Sequence, residues 1–198
     1  MNFTQFTSLV HNNPAGVVLL EGRRSIPADY GQQAHALAAS LASRFPTLRF
    51  RSGNALGSDD AFSRGVAGVD ASRLQVIAPY ASHRKGDRYI NAIYDSPESL
   101  SALKAEQIAS LTSAASPMNK RLVAKRHQTG PLAAKAAYLI RDTMKVVGHS
   151  DVFPKPVCAL FYVNLEDPYA GGTGHTIRVC QQEGVPFAFQ DSWAAWPR

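Results

Sequence analysis

Three glycine-bearing turns in this chain carry the residue types that hold phosphate. The first reads Gly22-Arg23-Arg24-Ser25. The second runs Ser52-Gly53-Asn54 through Gly57-Ser58-Asp59. The third is Gly171-Gly172-Thr173-Gly174-His175-Thr176. A glycine lets backbone approach a ligand closely, and a helix N-terminus behind it aims free N–H groups and partial positive charge at an anion. Arg23 or Arg24 adds a planar guanidinium fork that matches a phosphate. The hydroxyls of Thr173 and Thr176 suit a phosphate at a helix start, and His175 is placed to touch a base or a phosphate. Asp59 heads a helical stretch. It reads first as a capping carboxylate and second as an acceptor for a ribose or base. Arg141, on a later helical stretch, is a second candidate anion ligand.

Other chemistries find less support. No Gly-Lys-Ser/Thr follows any of these glycines, so none is a P-loop, and the turn after the first strand is not a GxGxxG dinucleotide fingerprint. Glu21, Glu166, Asp167 and Asp191 are the carboxylates available to an enzyme, and no pair among them has a spacing that argues for catalysis. No catalytic residue is assigned. The two cysteines, Cys158 and Cys180, form no CxxC or Cys/His pattern, so they are expected as buried thiols, with no metal and no cofactor.

The turns need a frame. "GVVLLEG" is a continuous apolar run, as expected of a strand buried on both faces. "YGQQAHALAASLASRF" has apolar residues at helical spacing, with Asp29 as its expected N-cap. "LRFRSG" and "RLQVIAP" read as the second and third strands around a short helix in "GSDDAFSRGVAG". "HRKGDRYINAIYDSP" reads as a loop. Three helical stretches follow, within residues 97–114, 116–130 and 131–148. "KPVCALFYV" is the fourth strand and "VPFAF" the fifth, on either side of the glycine turn and its helix. The alternation predicts an α/β fold, a Rossmann-like three-layer sandwich. Its sheet is mainly parallel, of about five strands, with extra helices before the fourth. One domain is expected over residues 1–198. With strand order 3-2-1-4-5, ligands would bind beyond the carboxyl ends, where the order reverses between the first and fourth strands.

Composition agrees with a globular chain: 198 residues, 45% hydrophobic and 18% charged. No apolar run is long enough to span a bilayer, and the N-terminus lacks the pattern of a secretory signal, so a cytoplasmic protein without a membrane partner is expected. The net charge of +6 favours a polyanionic partner.

The second turn resembles the S-G-x-A-x-G-x-D stretch of the DprA/Smf family through Ser52, Gly53, Ala55, Gly57 and Asp59. Upstream, Gly22, Arg24, Tyr30 and Gly31 resemble that family's G-x-R…YG turn. Downstream, Gly172, Thr173 and Thr176 resemble its S-G-[ST]-x-x-T-A turn. "IRDTMKVVGHS" loosely resembles an Arg-Asn-Arg segment, with Asp142 where asparagine is usual. The order of these motifs agrees over roughly residues 16–190. The resemblance extends to the wider SMF/DprA–LOG superfamily of Rossmann-like domains. It implies single-stranded DNA binding, as in DprA, or nucleotide binding. It also raises hydrolysis of a nucleoside monophosphate at its N-glycosidic bond, as in the Lonely-Guy branch. That branch uses a glutamate in PGGxGTxxE, and here Arg178 stands at the glutamate's position, which counts against that mechanism.

The expected function is therefore binding of a nucleotide or single-stranded DNA, with phosphate held by the glycine turns. The alternative is a nucleotide N-glycosidase. Tyr80, Tyr89, Tyr94, Trp193 and Trp196 are the aromatics available to stack bases along a strand. A homodimer or higher homo-oligomer is the expected assembly, with the tail "DSWAAWPR" and the central helices as candidate interface.

Overall fold

A computed structural model describes residues 1–197. Six parallel strands form one sheet: β1 (Val17–Gly22), β2 (Arg49–Gly53), β3 (Leu74–Ile77), β4 (Ile93–Asp95), β5 (Cys158–Tyr162) and β6 (Phe187–Phe189). Their order is β4-β3-β2-β1-β5-β6, so the chain reverses direction across the sheet between β1 and β5. That pair is in register from Val18↔Cys158 to Gly22↔Tyr162. β1 is buried at every position, as a central parallel strand covered on both faces must be. The sheet is Rossmann-like, and the reversal falls at the pair the sequence indicates.

Alternate side chains feed two cores. Val18, Leu20, Phe50, Leu160 and Tyr162 face one side with Phe6, Leu37, Phe62 and Trp193. Those residues come from α1 (Phe3–Asn12), α2 (Ala28–Arg44), α3 (Ser58–Asp70) and α8 (Gln190–Trp193). Leu19, Ala159 and Phe161 face the other side. There they meet Val146 of α6 (Pro131–Val147) and Ile177 and Cys180 of α7 (Gly171–Gln182). α4 (Ala102–Ala114) packs on α6 through Ile108, and α5 (Pro117–Val123) connects them. The side chain of buried Arg51 on β2 fixes where α6 lies. Its Nη1 donates to the Lys145 carbonyl at 2.8 Å, and its Nε and Nη2 donate to Gln75 Oε1.

Several local expectations are corrected. The sheet has six strands rather than five, because Ile93–Asp95, within the stretch read as a loop, pairs with β3 as an edge strand. Three half-exposed residues carry no apolar pattern. The N-terminal residues form α1. Its signal is a capping box, in which Asn2 Oδ1 accepts from Gln5 N and Gln5 Oε1 accepts from Asn2 N. Asp29 does not cap α2. Pro27 holds that position without a side-chain cap, and Asp29 lies in the first turn. Trp193 and Trp196 are core residues: Trp193 is fully buried and donates its indole N–H to the Phe161 carbonyl at 2.8 Å. Neither is an exposed stacking platform. Arg198 of that tail lies outside the described residues. Cys158 and Cys180 are buried free thiols, and burial pushes the Cys158 pKa up to about 12. No helix among the described residues is long and apolar enough to cross a membrane.

Candidate anion site at the carboxyl edge of the sheet

The three turns emerge at one edge of the sheet, behind β1, β2 and β5. Beneath them lies a buried layer of charge. Glu21, at the end of β1, accepts from Lys145 Nζ at 2.6 Å and from Thr176 Oγ1 at 2.9 Å. Lys145 also pairs with Asp142 Oδ1 at 2.9 Å. Arg141 Nε is 3.0 Å from the same oxygen, and its Nη1 is 4.0 Å from Asp59 Oδ2. Asp59 Oδ1 accepts the Gly22 N–H at 3.1 Å. This carboxylate is therefore a tie between β1 and α3, not the helix cap its position suggested.

The charges shift one another. Burial raises Glu21 to about 7, against the opposing pull of Lys145. Burial also raises Asp59. Burial works against the ionised form of Asp142 as well, but Arg141 and Lys145 overcome it and hold that carboxyl low. Desolvation would lower Lys145, yet Asp142, Glu21 and Asp59 outweigh it and its pKa ends raised.

Above this layer stands a cationic rim. The guanidinium of Arg141 lies over the Tyr138 ring at 5.6 Å, and that of Arg24 approaches the same ring at 5.5 Å. His83 Nε2 is 3.4 Å from the Tyr138 hydroxyl, and Asn54 Nδ2 donates to the His83 carbonyl at 3.0 Å. Arg84 donates to the Asn54 carbonyl at 3.3 Å. Desolvation and the charges of Arg141, Arg84, Arg24 and Arg88 all lower the His83 pKa, which keeps its imidazole neutral. Arg141 joins the two layers. It is 5% exposed, and its Nε and Nη1 lie within ionic reach of carboxylates yet make no aligned hydrogen bond. Asp142, Asp59 and Glu21 compensate this buried guanidinium and hold its pKa raised against desolvation.

The third turn is arranged differently. α7 begins at Gly171, so its glycines form the first helical turn. Gly171 and Gly172 are exposed, Thr173 is half-buried, and Gly174 is packed on the backbone of Tyr169. His175 points inward. Its Nδ1 is 2.9 Å from Asn119 Nδ2 and its Nε2 is 2.8 Å from Thr143 Oγ1. An amide nitrogen only donates, so Nδ1 accepts and Nε2 carries the proton. Burial lowers its pKa and keeps it neutral. Thr176 is committed to Glu21. A Cβ on Gly172 would meet Asp142 Oδ2 at 3.1 Å, so a carboxylate already faces this helix start.

The remaining candidates divide in the same way. Arg23, Arg24 and Ser25 are exposed at the edge. Ser52 Oγ is spent on the Leu20 carbonyl and Ser58 Oγ on the Arg23 carbonyl. Gly22, Gly53 and Asn54 are buried at the strand ends, and Gly57 carries a φ of +84° that glycine accommodates. Arg178 donates to the Tyr169 carbonyl at 3.0 Å, with no carboxylate in its place. Lys145, Tyr138, His83 and Arg84 were not singled out from sequence. The first two had a readable signal: Tyr138, Arg141, Asp142 and Lys145 recur at i, i+3, i+4 and i+7, a polar stripe on a helix whose neighbours are apolar.

Comparison with family models, with curated proteins and with solved structures found no match to this chain.

Proposed function

We propose that the protein binds the phosphate of a nucleotide at this edge, chiefly through Arg141 and Arg24. The observation that carries the reading is Arg141. It carries its charge to the Gly53 end of β2, and the exposed guanidinium of Arg24 shares its aromatic support. Arg141 Nη1 lies against Gly53. Single-stranded DNA is the less supported ligand, because of the five aromatics named for stacking Trp193 and Trp196 are in the core, Tyr89 and Tyr94 are half-buried, and Tyr80 alone is exposed.

The test is anisotropy of a labelled oligo-dT at low and moderate salt, with mononucleotides as competitors. Displacement by mononucleotides, lost in Arg141→Met, is the expected result. Tight, steeply salt-dependent oligonucleotide binding that mononucleotides do not displace would assign the site to a DNA strand.

One observation favours a second, catalytic reading. Glu21 stands at the end of the central strand with its carboxyl raised to about 7 by burial, and it could serve as a general acid or base only by giving up Lys145 or Thr176, which hold both its oxygens. Release of free base from nucleoside monophosphates, abolished in Glu21→Gln, would establish an N-glycosidase. Absence of release from the full panel would retire it.

A further inference from the structure

Next to the arginines, the same edge holds a cavity that the phosphate reading leaves unused. α2 and α3 touch closely along part of their length, where a Cβ on Gly65 would run into the His35 carbonyl. Toward their N-termini they part, and a cavity of about 450 Å³ opens between them. Small-molecule sites span roughly 300–1,000 Å³. Its walls follow from helical spacing. Ala28, Gly31, Gln32 and His35 recur at i, i+3, i+4 and i+7 on α2, and Gly57, Asp60, Ala61 and Arg64 do the same across α3.

Small residues on both sides make flat walls, with Ile26 and Pro27 at one end. Asp60 and Arg64 are paired with each other at 3.2 Å. Gln32 and His35 have no side-chain hydrogen-bond partner among the described residues, so an amide and an imidazole are free to donate and accept. A Cβ on Gly31 would meet nothing within 4 Å. The missing side chain there relieves no clash; it leaves space.

The cavity and the cationic rim share a wall. A Cβ on Gly57 would lie 2.8 Å from Arg24 Cα and 2.6 Å from its carbonyl carbon, so one thickness of backbone separates the two. We infer that this cavity receives the uncharged sugar and base of a nucleoside monophosphate whose phosphate rests on Arg24 and Arg141. The inference rests on the phosphate reading above. Flat apolar walls fit a planar ring, and Gln32 and His35 supply edge hydrogen bonds. A buried arginine suits a terminal phosphate better than one continued on both sides by a strand.

The test is calorimetry of the full chain with four ribonucleoside monophosphates, ribose 5-phosphate and inorganic phosphate. Gly31→Phe fills the cavity and should weaken at least one nucleoside monophosphate by about tenfold or more, leaving inorganic phosphate within about twofold. Arg141→Met should weaken every ligand. If Gly31→Phe leaves all affinities unchanged, or weakens inorganic phosphate as much, while Arg141→Met still acts, the cavity inference falls and the phosphate reading stands. If Arg141→Met changes nothing, the phosphate reading falls first. No binding of any ligand to wild type overturns both. A melting curve checks that each variant is folded, and Gly31→Leu replaces Gly31→Phe should the latter not fold. Sedimentation showing a wild-type dimer that Gly31→Phe dissociates would make the cavity a contact between copies and overturn the inference.

Discussion

The GGTG turn and the SGN turn look alike in sequence, and different atoms fill the space each leaves. At Gly174 the missing Cβ makes room for the backbone of Tyr169, so the chain closes on itself. At Gly53 it makes room for Arg141 Nη1 and Asp59 Oδ2, so opposite charges can lie across the end of a strand. The first glycine serves a tight turn. The second serves a charged site. A glycine in a sequence says that something approaches; only the fold says whether that is backbone, a side chain or open space.

The largest expected effect tests the charge beneath the SGN turn. Lys145 is fully buried and is the shared partner of Glu21 and Asp142. Lys145→Met would strand Glu21 without a cation in a desolvated layer and leave Asp142 to Arg141 alone. Removing one partner of a buried pair costs about 3–5 kcal/mol. Urea denaturation should show a loss of that order at pH 7.5. A loss below about 1 kcal/mol, typical of exposed pairs, would mean that water reaches the layer and that the two turns differ less than they appear.

Next in size is a pH effect of Glu21, which lies beneath both turns and accepts from Thr176. Glu21 titrates near 7 in the folded protein and near 4.5 as a free side chain. Below 4.5 it is neutral in both states, and its contribution is complete. Between 4.5 and 7 the unfolded chain gives up the proton while the folded one keeps it, so stability falls as pH rises. The shift corresponds to about 3 kcal/mol across that window. Denaturation at pH 4.5, 5.5 and 7.5 should show wild type losing that much relative to Glu21→Gln. Parallel curves for the two proteins would show that Lys145 keeps Glu21 ionised throughout. His175, whose pKa burial lowers, adds stability as pH rises through its titration, the opposite sign.

The two glycines themselves come next. Gly174→Ala forces a Cβ into backbone, and overpacking of this kind costs about 1–3 kcal/mol. The phosphate affinity of the molecules that fold should be unchanged. Gly53→Ala meets the ends of two side chains that can move, so its stability cost should be smaller. Arg141 must move to accommodate it, and phosphate binding should weaken. Equal losses of stability with unchanged binding in both variants would erase the distinction.

How much of this was legible depends on what each element does. "VVLL" could be read because a central strand covered on both faces is apolar until it reaches the edge, where Glu21 stands. β4 could not, since three residues at an edge need satisfy only one neighbour. The parallel sheet followed from element order; the reversal between β1 and β5 rested on a supposed strand order, which the sheet has with β4 added at its edge. Asp59 was misread because a helix start predicts a cap, while tertiary structure spent its carboxylate on the Gly22 N–H of another element. His175 sits next to a glycine turn in sequence, but an inward turn of the helix gives it to Asn119 and Thr143. Nothing local encodes that direction. Lys145 sits on a readable polar stripe, but its burial was hidden by its type, because a lysine in an amphipathic helix is ordinarily a surface residue.

The smallest expected effect concerns a third kind of glycine. Gly31 lies within α2, where glycine costs roughly 0.5–1 kcal/mol relative to alanine through lost backbone entropy. Its φ is not in the left-handed region, and a Cβ there meets no atom within 4 Å. Neither the backbone of Gly174 nor the charged neighbours of Gly53 explain it. Gly31→Ala should therefore raise stability by about 0.5–1 kcal/mol, visible as a higher melting temperature. The added methyl group narrows the cavity between α2 and α3 and should slightly weaken any nucleoside monophosphate held there. If Gly31→Ala destabilises the protein, the wall of the cavity is not open and Gly31 belongs with Gly174. If it stabilises the fold while weakening the ligand, the glycine is kept at a cost to stability for the space it leaves.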